Sequence, residues 1–256
     1  MHANLLQLSK KIRVGAVSYL NTKPLLYGLK HHAISESIEL IEDYPANLAK
    51  ALIENTIDIG LVPVAIIPGL PEAHIISDYC IGAIGPVASV CVFSKVPMEE
   101  IKTMYLDYQS RTSIKLAQIL LKNYWKREVL LLEAPDNFID LIDGTTAAVI
   151  IGDRALEKYE SFPYRYDLAE AWVSYTGKPF VFATWVSNKT LDHDFIQSFN
   201  EANAYGLSDL EKVIKQIPLS KHVYDLNKYF TKNISYFFTN EKKDGMELFL
   251  KSLIDY

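Results

Sequence analysis

Short apolar runs alternate with amphipathic segments over the first third of the chain. Residues 12–17, 38–41 and 57–64 are apolar runs that predict strands, while residues 22–29 and 46–54 between them have the apolar spacing of helices. Continuous apolar runs are typical of strands buried on both faces of a parallel sheet. The pattern therefore predicts an α/β unit with a parallel sheet.

This pattern changes at residues 75–93, where β-rich segments are interrupted by Gly82, Gly85 and Pro86, and a domain boundary is predicted near Pro97. Strands are then predicted at 104–106, 129–132 and 147–151, with helices at 113–125 and 138–142. The alternation indicates a second parallel sheet.

A strand predicted at 179–186 is followed by a region of helical character, with helices at 195–205, 207–216, 221–229 and 242–254. If these helices return to the first lobe, the strands near Val92 and Ala183 become two crossings between lobes, as in a two-domain binding protein with a hinge. The predicted division is residues 1–95 and 187–256 for lobe I and residues 96–186 for lobe II.

The net charge and composition limit the classes of ligand that the protein is expected to bind. The 256 residues carry a formal net charge of −5 and contain no long basic block, so nucleic acid is not expected to bind. A small anionic ligand is still compatible with this negative net charge, because backbone N–H groups and one Arg can hold a carboxylate. Nothing in the sequence distinguishes a monomer from a homodimer.

The location of the protein is predicted by elimination. Residues 1–11 lack the apolar stretch of a secretory signal, and the uncharged stretch at 80–94 is too short to span a bilayer. Cys80 and Cys91 lack the spacing of a zinc or redox site and are interpreted as reduced core residues. A cytoplasmic protein without a membrane span is expected.

Polar residues follow the first predicted strand at Ser18, Tyr19, Asn21 and Thr22. Ligands of open α/β sheets bind beyond the carboxyl ends of the strands, so these side chains are expected to face a cleft. The alternative is that Ser18, Asn21 or Thr22 only caps the helix that follows.

A second candidate site is the run Ser110, Arg111, Thr112 and Ser113, which opens the first helix of the second series. Free N–H groups, hydroxyls and the helix dipole favour a carboxylate at such a point. A simple helix cap beside a solvated Arg would produce the same pattern.

Two weaker candidates lie at strand ends. Residues 85–89 place small residues and Ser89 just before the expected hinge, where a ligand can approach the backbone, although a β-bulge without function would look the same. Gly152 and Asp153 follow the strand at 147–151, and Asp153 could equally cap a helix.

Sites of other chemistries are not indicated. The histidines lack metal-ligand spacing, and the sequence contains no phosphate-binding glycine loop, nucleophile elbow or close carboxylate pair at a strand end. We therefore expect no metal site, and no side chain stands out as a general base.

Five segments in order resemble one family. They are Arg13-Val-Gly-Ala-Val-Ser-Tyr-Leu-Asn-Thr-Lys-Pro-Leu25, Asp58-Ile-Gly-Leu-Val-Pro-Val64, Gly85-Pro-Val-Ala-Ser-Val90, Ser110-Arg-Thr-Ser113 and Gly152-Asp-Arg-Ala-Leu156. Together they resemble the chorismate dehydratases of the futalosine route to menaquinone. The sequence departs from the family where a polar residue often precedes Gly-Pro-Val, because Ala83 and Ile84 stand there.

The resemblance implies a type II periplasmic-binding-protein fold, with two mixed sheets flanked by helices and a double-strand hinge, that works without a cofactor or metal. It implies loss of water from chorismate to give 3-[(1-carboxyvinyl)oxy]benzoate. By the same resemblance, Asn21 and Ser89 are associated with catalysis, and the segment from Ser110 to Ser113 holds a substrate carboxylate.

The resemblance leads to a hypothesis about which group removes the proton from the substrate. Because no side chain stands out as a base, the enolpyruvyl carboxylate of the substrate is expected to take the proton, helped by its proximity. Three alternatives stay open: a non-catalytic binding protein, the enzyme that makes 1,4-dihydroxy-6-naphthoate, and a regulatory effector domain. The sequence shows no DNA-binding helix pair before Lys11, which counts against the regulatory effector domain.

Overall fold

The computed structural model describes residues 11–107, 109–218 and 224–254. The strands are β1 (Ile12–Ala16), β2 (Ile38–Glu42), β3 (Ile59–Pro63), β4 (His74–Ala83), β5 (Val90–Ser94), β6 (Thr103–Leu106), β7 (Leu130–Glu133), β8 (Thr146–Ile151), β9 (Tyr164–Asp167), β10 (Phe180–Ser187) and β11 (Ser235–Phe237). The helices are α1 (Lys23–His31), α2 (Pro45–Ile53), α3 (Arg111–Asn123), α4 (Asp153–Glu157), α5 (Leu168–Thr176), α6 (His193–Ser208), α7 (Leu210–Lys215), α8 (Leu226–Lys228) and α9 (Asn240–Ser252).

The first sheet has the strand order β11-β4-β10-β3-β1-β2. Strand β1, which lies next to the edge strand β2, is parallel to β2 and β3, as the apolar runs predicted. On the other side of β3, the strands β10, β4 and β11 are each antiparallel to their neighbours. The parallel half places the carboxyl ends of β1 and β3 at one edge, where a polar turn leads from β1 to α1 and β3 continues directly into the apolar 3₁₀ segment Val64–Gly69.

The second sheet has the strand order β7-β6-β8-β5-β9. Strands β6, β7 and β8 are parallel, whereas β5 is antiparallel to β8 and β9. The expectation of an entirely parallel second sheet is therefore wrong, and the predicted fold class of two mixed sheets is the one observed. Helices α3 and α5 pack together over this sheet.

The sheets divide the chain at other points than the predicted lobe boundaries. Strand β5 lies in the predicted lobe I but pairs in the second sheet, and most of β10 lies in the predicted lobe II but pairs in the first sheet. The crossing lies at residues 84–89, ahead of the Lys95 to Pro97 punctuation, and the return lies at residues 177–179. The apolar composition of β5 and β10 correctly predicted two strands. It carries no information about which sheet each strand joins.

Several local predictions differ from the structure. The helix predicted at 138–142 is a 3₁₀ turn, Phe138–Leu141. The helix predicted at 221–229 is reduced to α8 followed by a π-helical turn, with 219–223 outside the described residues. The elements that the pattern did not predict are β9, β11, α4 and α5. The expectation for residues 1–11 falls almost entirely outside the described part of the chain.

Asp58, from the second of the five segments, stabilises the first sheet. Its carboxylate accepts hydrogen bonds from the backbone and guanidinium of Arg13 at 2.9–3.0 Å and from Lys189 Nζ at 2.8 Å. Burial alone would raise the pKa of Asp58, but these cations hold it well below the ordinary value. The residue connects the starts of β1 and β3 to the end of β10, away from the strand ends that matter for function.

Helices α1 and α6 cross at van der Waals distance because glycines face each other there. A Cβ added to Gly206 would lie 1.9 Å from the Pro24 carbonyl oxygen, and one added to Gly28 would lie 1.9 Å from that of Ala202. No rotamer change relieves a clash with backbone, so the helices must separate if either glycine is replaced. The crossing fixes α1, and with it the turn that precedes it.

We expect Gly206→Ala to destabilise the fold by at least about 2 kcal/mol, because overpacking outweighs the better helix propensity of alanine. Gly69→Ala is the matched control, since an added Cβ there meets nothing within 4 Å. Urea unfolding of both variants measures the difference. Equal stability of the two variants would contradict the close crossing.

Candidate active site

A cavity lies where the strand ends of the two sheets face each other, and counting the part open to solvent it holds about 600 Å³. Its lining is mainly apolar and consists of Val17, Tyr19, Asn21, Thr22, Pro45, Leu61, Pro63, Ile81, Val87, Ser89, Val90, Gln109, Ser110, Ser113, Ile151, Gly152, Phe182 and Ala183. A few polar groups in an apolar cavity are typical of a small-molecule site. Of these lining residues, Tyr19 alone carries a titratable side chain.

The turn after β1 places Asn21 in this cavity. Thr22 Oγ1 donates to the carbonyl oxygens of Val17 and Tyr19 at 2.5 and 2.7 Å, which closes the turn tightly. Thr22 is thus bonded to its own turn and makes no side-chain cap for α1. The Asn21 Oδ1 atom is buried and has no hydrogen-bond partner. An amide held in this way has its hydrogen-bonding capacity free for a ligand.

Strand β11 holds Asn21 from behind. Tyr236 Oη donates to the Asn21 carbonyl oxygen at 2.9 Å. The strand is itself fixed by Lys242 of α9, a fully buried side chain whose Nζ donates to the carbonyl oxygens of Ser235 and, at 2.6 Å, of Phe237. Burial lowers the pKa of Lys242, an effect that the nearby Cys80 opposes. The C-terminal part of the chain therefore positions a residue near the N-terminus.

Ser89 follows a strained residue. Ala88 has φ 63°, in the left-handed region, and its N–H donates to Asp167 Oδ2 at 2.7 Å. The other Asp167 oxygen caps α5 by accepting from the N–H groups of Ala169 and Glu170. The Ser89 hydroxyl is buried, lines the cavity and has no hydrogen-bond partner. A non-glycine residue in this conformation costs about 1–3 kcal/mol, and such strain is often found at functional sites.

Burial raises the pKa of Asp167 to about 6, although backbone N–H groups at Glu170 and Ala88 act in the opposite direction. An aspartate with a raised pKa binds its proton more tightly in the folded state. It therefore favours folding most at low pH, and this contribution is lost as pH rises from the ordinary 3.8 through about 6.

We expect the stability advantage of wild type over Asp167→Asn to fall by about 2 kcal/mol between about pH 4 and about pH 7, since one pKa unit is worth about 1.4 kcal/mol and part of the change lies outside this range. Asn cannot titrate, so the difference isolates this carboxyl from all others. Urea unfolding of both proteins across that range measures it. A difference that does not change with pH would contradict the raised pKa.

The N-terminus of α3 forms the opposite wall. Ser110 caps the helix, with its Oγ accepting from the Ser113 N–H at 3.1 Å and donating to Ser113 Oγ at 2.9 Å. The cap interpretation of Ser110 is thus correct, and both serines also line the cavity. The helix dipole adds a partial positive charge at this point, which favours a carboxylate.

Buried Asp107 holds this wall together. Its carboxylate accepts from the N–H groups of Gln109 at 3.1 Å and Ile151 at 3.3 Å, and from Arg154 at 2.6 Å. Burial raises the pKa of Asp107, and the charge of Arg154 opposes this rise. The ends of β6 and β8 are in this way fixed to each other beside the cavity.

Gly152 must be glycine because its φ of 65° and ψ of −144° suit glycine alone. Its N–H donates to the Ser89 carbonyl oxygen at 2.7 Å. Tyr19 in turn donates from Oη to Gln109 Oε1 at 2.9 Å, which joins the two walls. Burial raises the pKa of Tyr19 to about 12, so the phenol stays protonated near neutral pH.

Four predicted substrate-binding residues lie outside the cavity lining. Ser18 is exposed and accepts from Lys23 Nζ at 2.8 Å, while the Arg111 side chain is exposed at the start of α3. Thr112 is fully buried, and its Oγ1 accepts from the Ala65 N–H at 3.2 Å. Asp153 accepts from the Leu20 N–H at 3.0 Å. Neighbouring side chains on a helix point in different directions, so a run of four polar residues cannot all face one ligand.

The remaining predicted residues meet at the cavity: Tyr19, Asn21, Thr22, Ser89, Ser110, Ser113 and Gly152. Their roles stay predictions. Sequence reasoning missed Gln109, although its position after β6 and next to Ser110 was a usable signal. It also missed Phe182 and Tyr236, for which no local pattern exists.

Among the described residues, no three His, Cys, Asp or Glu side chains form a group able to hold a metal ion. Within the same part of the chain, no helix is both long enough and apolar enough to cross a bilayer.

A protein-family model described as menaquinone biosynthesis matches residues 12–254, nearly the whole chain. The chain belongs to the menaquinone biosynthesis family. The matched range contains every residue of the cavity lining, and it also contains strand β11, which stands behind Asn21. The resemblance predicted from five segments is thereby confirmed at the level of the family.

Known proteins resemble this chain in sequence or in fold. A chorismate dehydratase of Thermus thermophilus is 24% identical over 268 residues, covering 94% of both chains. Among solved structures, an ABC transporter protein of Parabacteroides distasonis has a TM-score of 0.68 at 17% identity, covering 96% and 92% of the two chains. A Candida albicans protein described as having the generic periplasmic binding protein fold has a TM-score of 0.62 at 14% identity, covering 94% and 90%. The periplasmic-binding-protein-like fold is confirmed.

Proposed function

We propose that this protein is a chorismate dehydratase, a carbon–oxygen lyase that removes water from chorismate to give 3-[(1-carboxyvinyl)oxy]benzoate. The observation that carries the proposal is the cavity itself: unpartnered Asn21 and Ser89 atoms face it from one side and the α3 N-terminus from the other. Membership of the menaquinone biosynthesis family and the similarity to the Thermus enzyme support the same activity.

The substrate is a dianion, and the cavity offers it neutral hydrogen-bond donors. We place one carboxylate at the N-terminus of α3, within reach of Ser110 and Ser113, where the helix dipole offsets part of its charge. The Asn21 amide then orients the enolpyruvyl side chain. The apolar lining, which includes Phe182 and Pro45, surrounds the ring and excludes water.

The proton leaves the ring carbon that bears the enolpyruvyl ether. Among the described lining residues no carboxylate, imidazole or amine is present, and the Tyr19 phenol has a pKa of about 12. The enolpyruvyl carboxylate of the substrate therefore takes the proton. Effective molarities of about 10⁵ M or more for well-oriented groups make a weak base sufficient. The Asn21 Nδ2–H group donates to the negative charge that develops as the proton leaves and stabilises it.

Loss of the ring hydroxyl completes the reaction and makes the ring aromatic. The proposal assigns Ser89 to this step, as the donor that stabilises the departing hydroxyl, which leaves as water with the proton that the enolpyruvyl carboxylate took. Its oxygen is buried and has no protein partner, so it can turn its proton toward the cavity. No cofactor is required by this sequence of steps.

The free cysteines Cys80 and Cys91 suit the reducing cytoplasm in which we place the enzyme.

A solute-binding protein is the main alternative, because the solved structures with this fold include an ABC transporter protein. Incubating purified protein with chorismate separates the two functions. The proposal predicts an aromatic product lighter than chorismate by one water, seen by absorbance and mass spectrometry and absent without protein. Chorismate recovered at the level of the protein-free control would support a binder and contradict the dehydratase.

A further inference from the structure

Strand β7 forms one edge of the second sheet and exposes consecutive leucines to solvent. Leu130 and Leu132 are 61% and 36% exposed, and Leu131 between them is half-buried. The backbone groups along an apolar edge strand can pair with any other strand, and proteins usually protect such edges with charges, with proline or by covering them. Strand β7 contains no lysine, arginine or proline, and its one charged residue is Glu133 at its end. This edge is therefore expected to be covered.

The other edge strands of the two sheets, as far as the chain is described, are protected. Strand β2 carries exposed Glu39 and Glu42, and β9 carries exposed Arg165. Strand β11 is three residues long. Short length and exposed charge both discourage pairing with a second chain. The apolar edge of β7 thus differs from the other three.

The hydrogen bonds to β6 determine which backbone groups of β7 point away from the sheet. The N–H groups of Leu130 and Ala134 donate toward β6, to the carbonyl oxygens of Lys102 at 2.9 Å and Leu106 at 3.3 Å. Backbone groups alternate in direction along a strand, so those of Leu131 point to the opposite side. On that side the described residues provide no further strand.

A second copy of the chain fits this edge through a two-fold axis at Leu131. In an antiparallel pair, residues whose backbone groups point outward face each other, so Leu131 faces Leu131 of the second copy. Leu130 then lies opposite Leu132 of the second copy, once on each side of the axis. Moving the axis by one residue in either direction would leave a leucine opposite Glu128 or Glu133. The register centred on Leu131 therefore covers leucine with leucine throughout.

The charges that flank β7 fit the same arrangement. Exposed Lys126 precedes the strand, and exposed Glu133 and Asp136 end and follow it. Antiparallel pairing brings the start of one β7 to the end of the other, so Lys126 of each copy approaches Asp136 of its partner. Glu128, in the same leading segment, faces the uncharged Ala134. A parallel pairing would instead place like charges side by side, which is unfavourable.

We propose that β7 is the interface of a homodimer, in which antiparallel β7 strands join the second sheets of two copies into one continuous sheet. No residue of β7 lines the cavity, so this inference does not depend on the proposed function. A contact built on a short strand buries less area than a standard interface of about 1,600 Å², so a dimer that dissociates in the micromolar range is expected.

Sedimentation velocity of the whole protein from about 1 to about 200 μM covers this range of affinity. We expect wild type to change from monomer to dimer as the concentration rises. Leu132→Lys should raise the dissociation constant at least about 10-fold, because the lysine would lose its hydration against Leu130 of the second copy. Leu248→Lys is the matched control, since Leu248 on α9 is 38% exposed, and it should dimerise like wild type. Thermal unfolding checks that both variants fold.

The inference is overturned by a wild type that stays monomeric over the whole range. It is equally overturned if Leu132→Lys dimerises as tightly as wild type, or if both variants weaken the dimer to the same extent.

Disulfide cross-linking with oxidised glutathione tests the register. The two Leu131 Cα atoms would lie about 5.5 Å apart, within the range that a disulfide bridges. The two Leu132 Cα atoms would lie about 8 Å apart, beyond that range. Leu131→Cys should therefore give a covalent dimer on non-reducing electrophoresis and Leu132→Cys much less, while Cys80 and Cys91 are buried and should not react. Equal cross-linking of the two variants, or none with Leu131→Cys, contradicts the proposed pairing.

Discussion

Asn21→Asp is expected to reduce chorismate turnover by at least about 10³-fold while leaving the fold intact. The amide N–H donors disappear, and a carboxylate takes their place where negative charge develops in the reaction. Loss of one donor at such a point typically costs about 10²–10³ in rate, and the added charge also repels a dianionic substrate. Steady-state kinetics with chorismate measure the loss.

Asn137→Asp makes the same change of charge at an exposed turn and is the control. It should turn over chorismate at the wild-type rate. Circular dichroism and thermal unfolding of Asn21→Asp check that it folds, which is expected because Asn21 is held through its backbone carbonyl by Tyr236. Near-normal turnover in a folded Asn21→Asp protein would remove Asn21 from the mechanism.

Ser89→Ala is expected to lower kcat by about 10²–10³-fold, because the departing hydroxyl loses its hydrogen-bond donor. The same variant should be at least as stable as wild type. The Ser89 oxygen is buried without a partner, and removing such a group relieves a desolvation cost of about 1–3 kcal/mol. A loss of activity together with unchanged or increased stability is the pattern expected of a functional group.

The control for Ser89→Ala lies on β5, the strand that begins directly after Ser89. Ser94 ends β5, is fully buried and accepts from the Val96 N–H at 3.1 Å. Ser94→Ala should lower stability and leave kcat unchanged, the reverse of the Ser89 result. If both variants lose activity and stability together, Ser89 has a structural role only.

The sequence predicted much of the fold because its strands are marked locally. The apolar runs of β1, β3 and β8 and the amphipathic spacing of α1 and α3 are short-range signals, and all of these elements form where expected. Sheet membership is a long-range property. The chain crosses to the second sheet before β5, and nothing in the composition of that strand distinguishes a partner in either sheet.

The candidate site was predictable where a polar residue follows a strand. Asn21 and Ser110 have this position, whereas Ser89 lies directly before β5 and is assigned through the family resemblance; the structure brings all three to one cavity. The direction in which each side chain at the start of α3 points was not predictable. Thr112 was therefore predicted at the site, although it faces the segment after β3 and accepts a hydrogen bond from Ala65. Long-range neighbours such as Tyr236 have no local signal, because their position depends on how the C-terminal segment packs.

The most direct test of the account is a crystal structure of the protein with 3-[(1-carboxyvinyl)oxy]benzoate bound. The account predicts the product in the cavity between the two sheets, with one carboxylate about 2.7–3.2 Å from donors at Ser110 and Ser113 and the opposite face of the ligand next to Asn21 and Ser89. A product bound elsewhere, or bound by only one of the two walls, would contradict it.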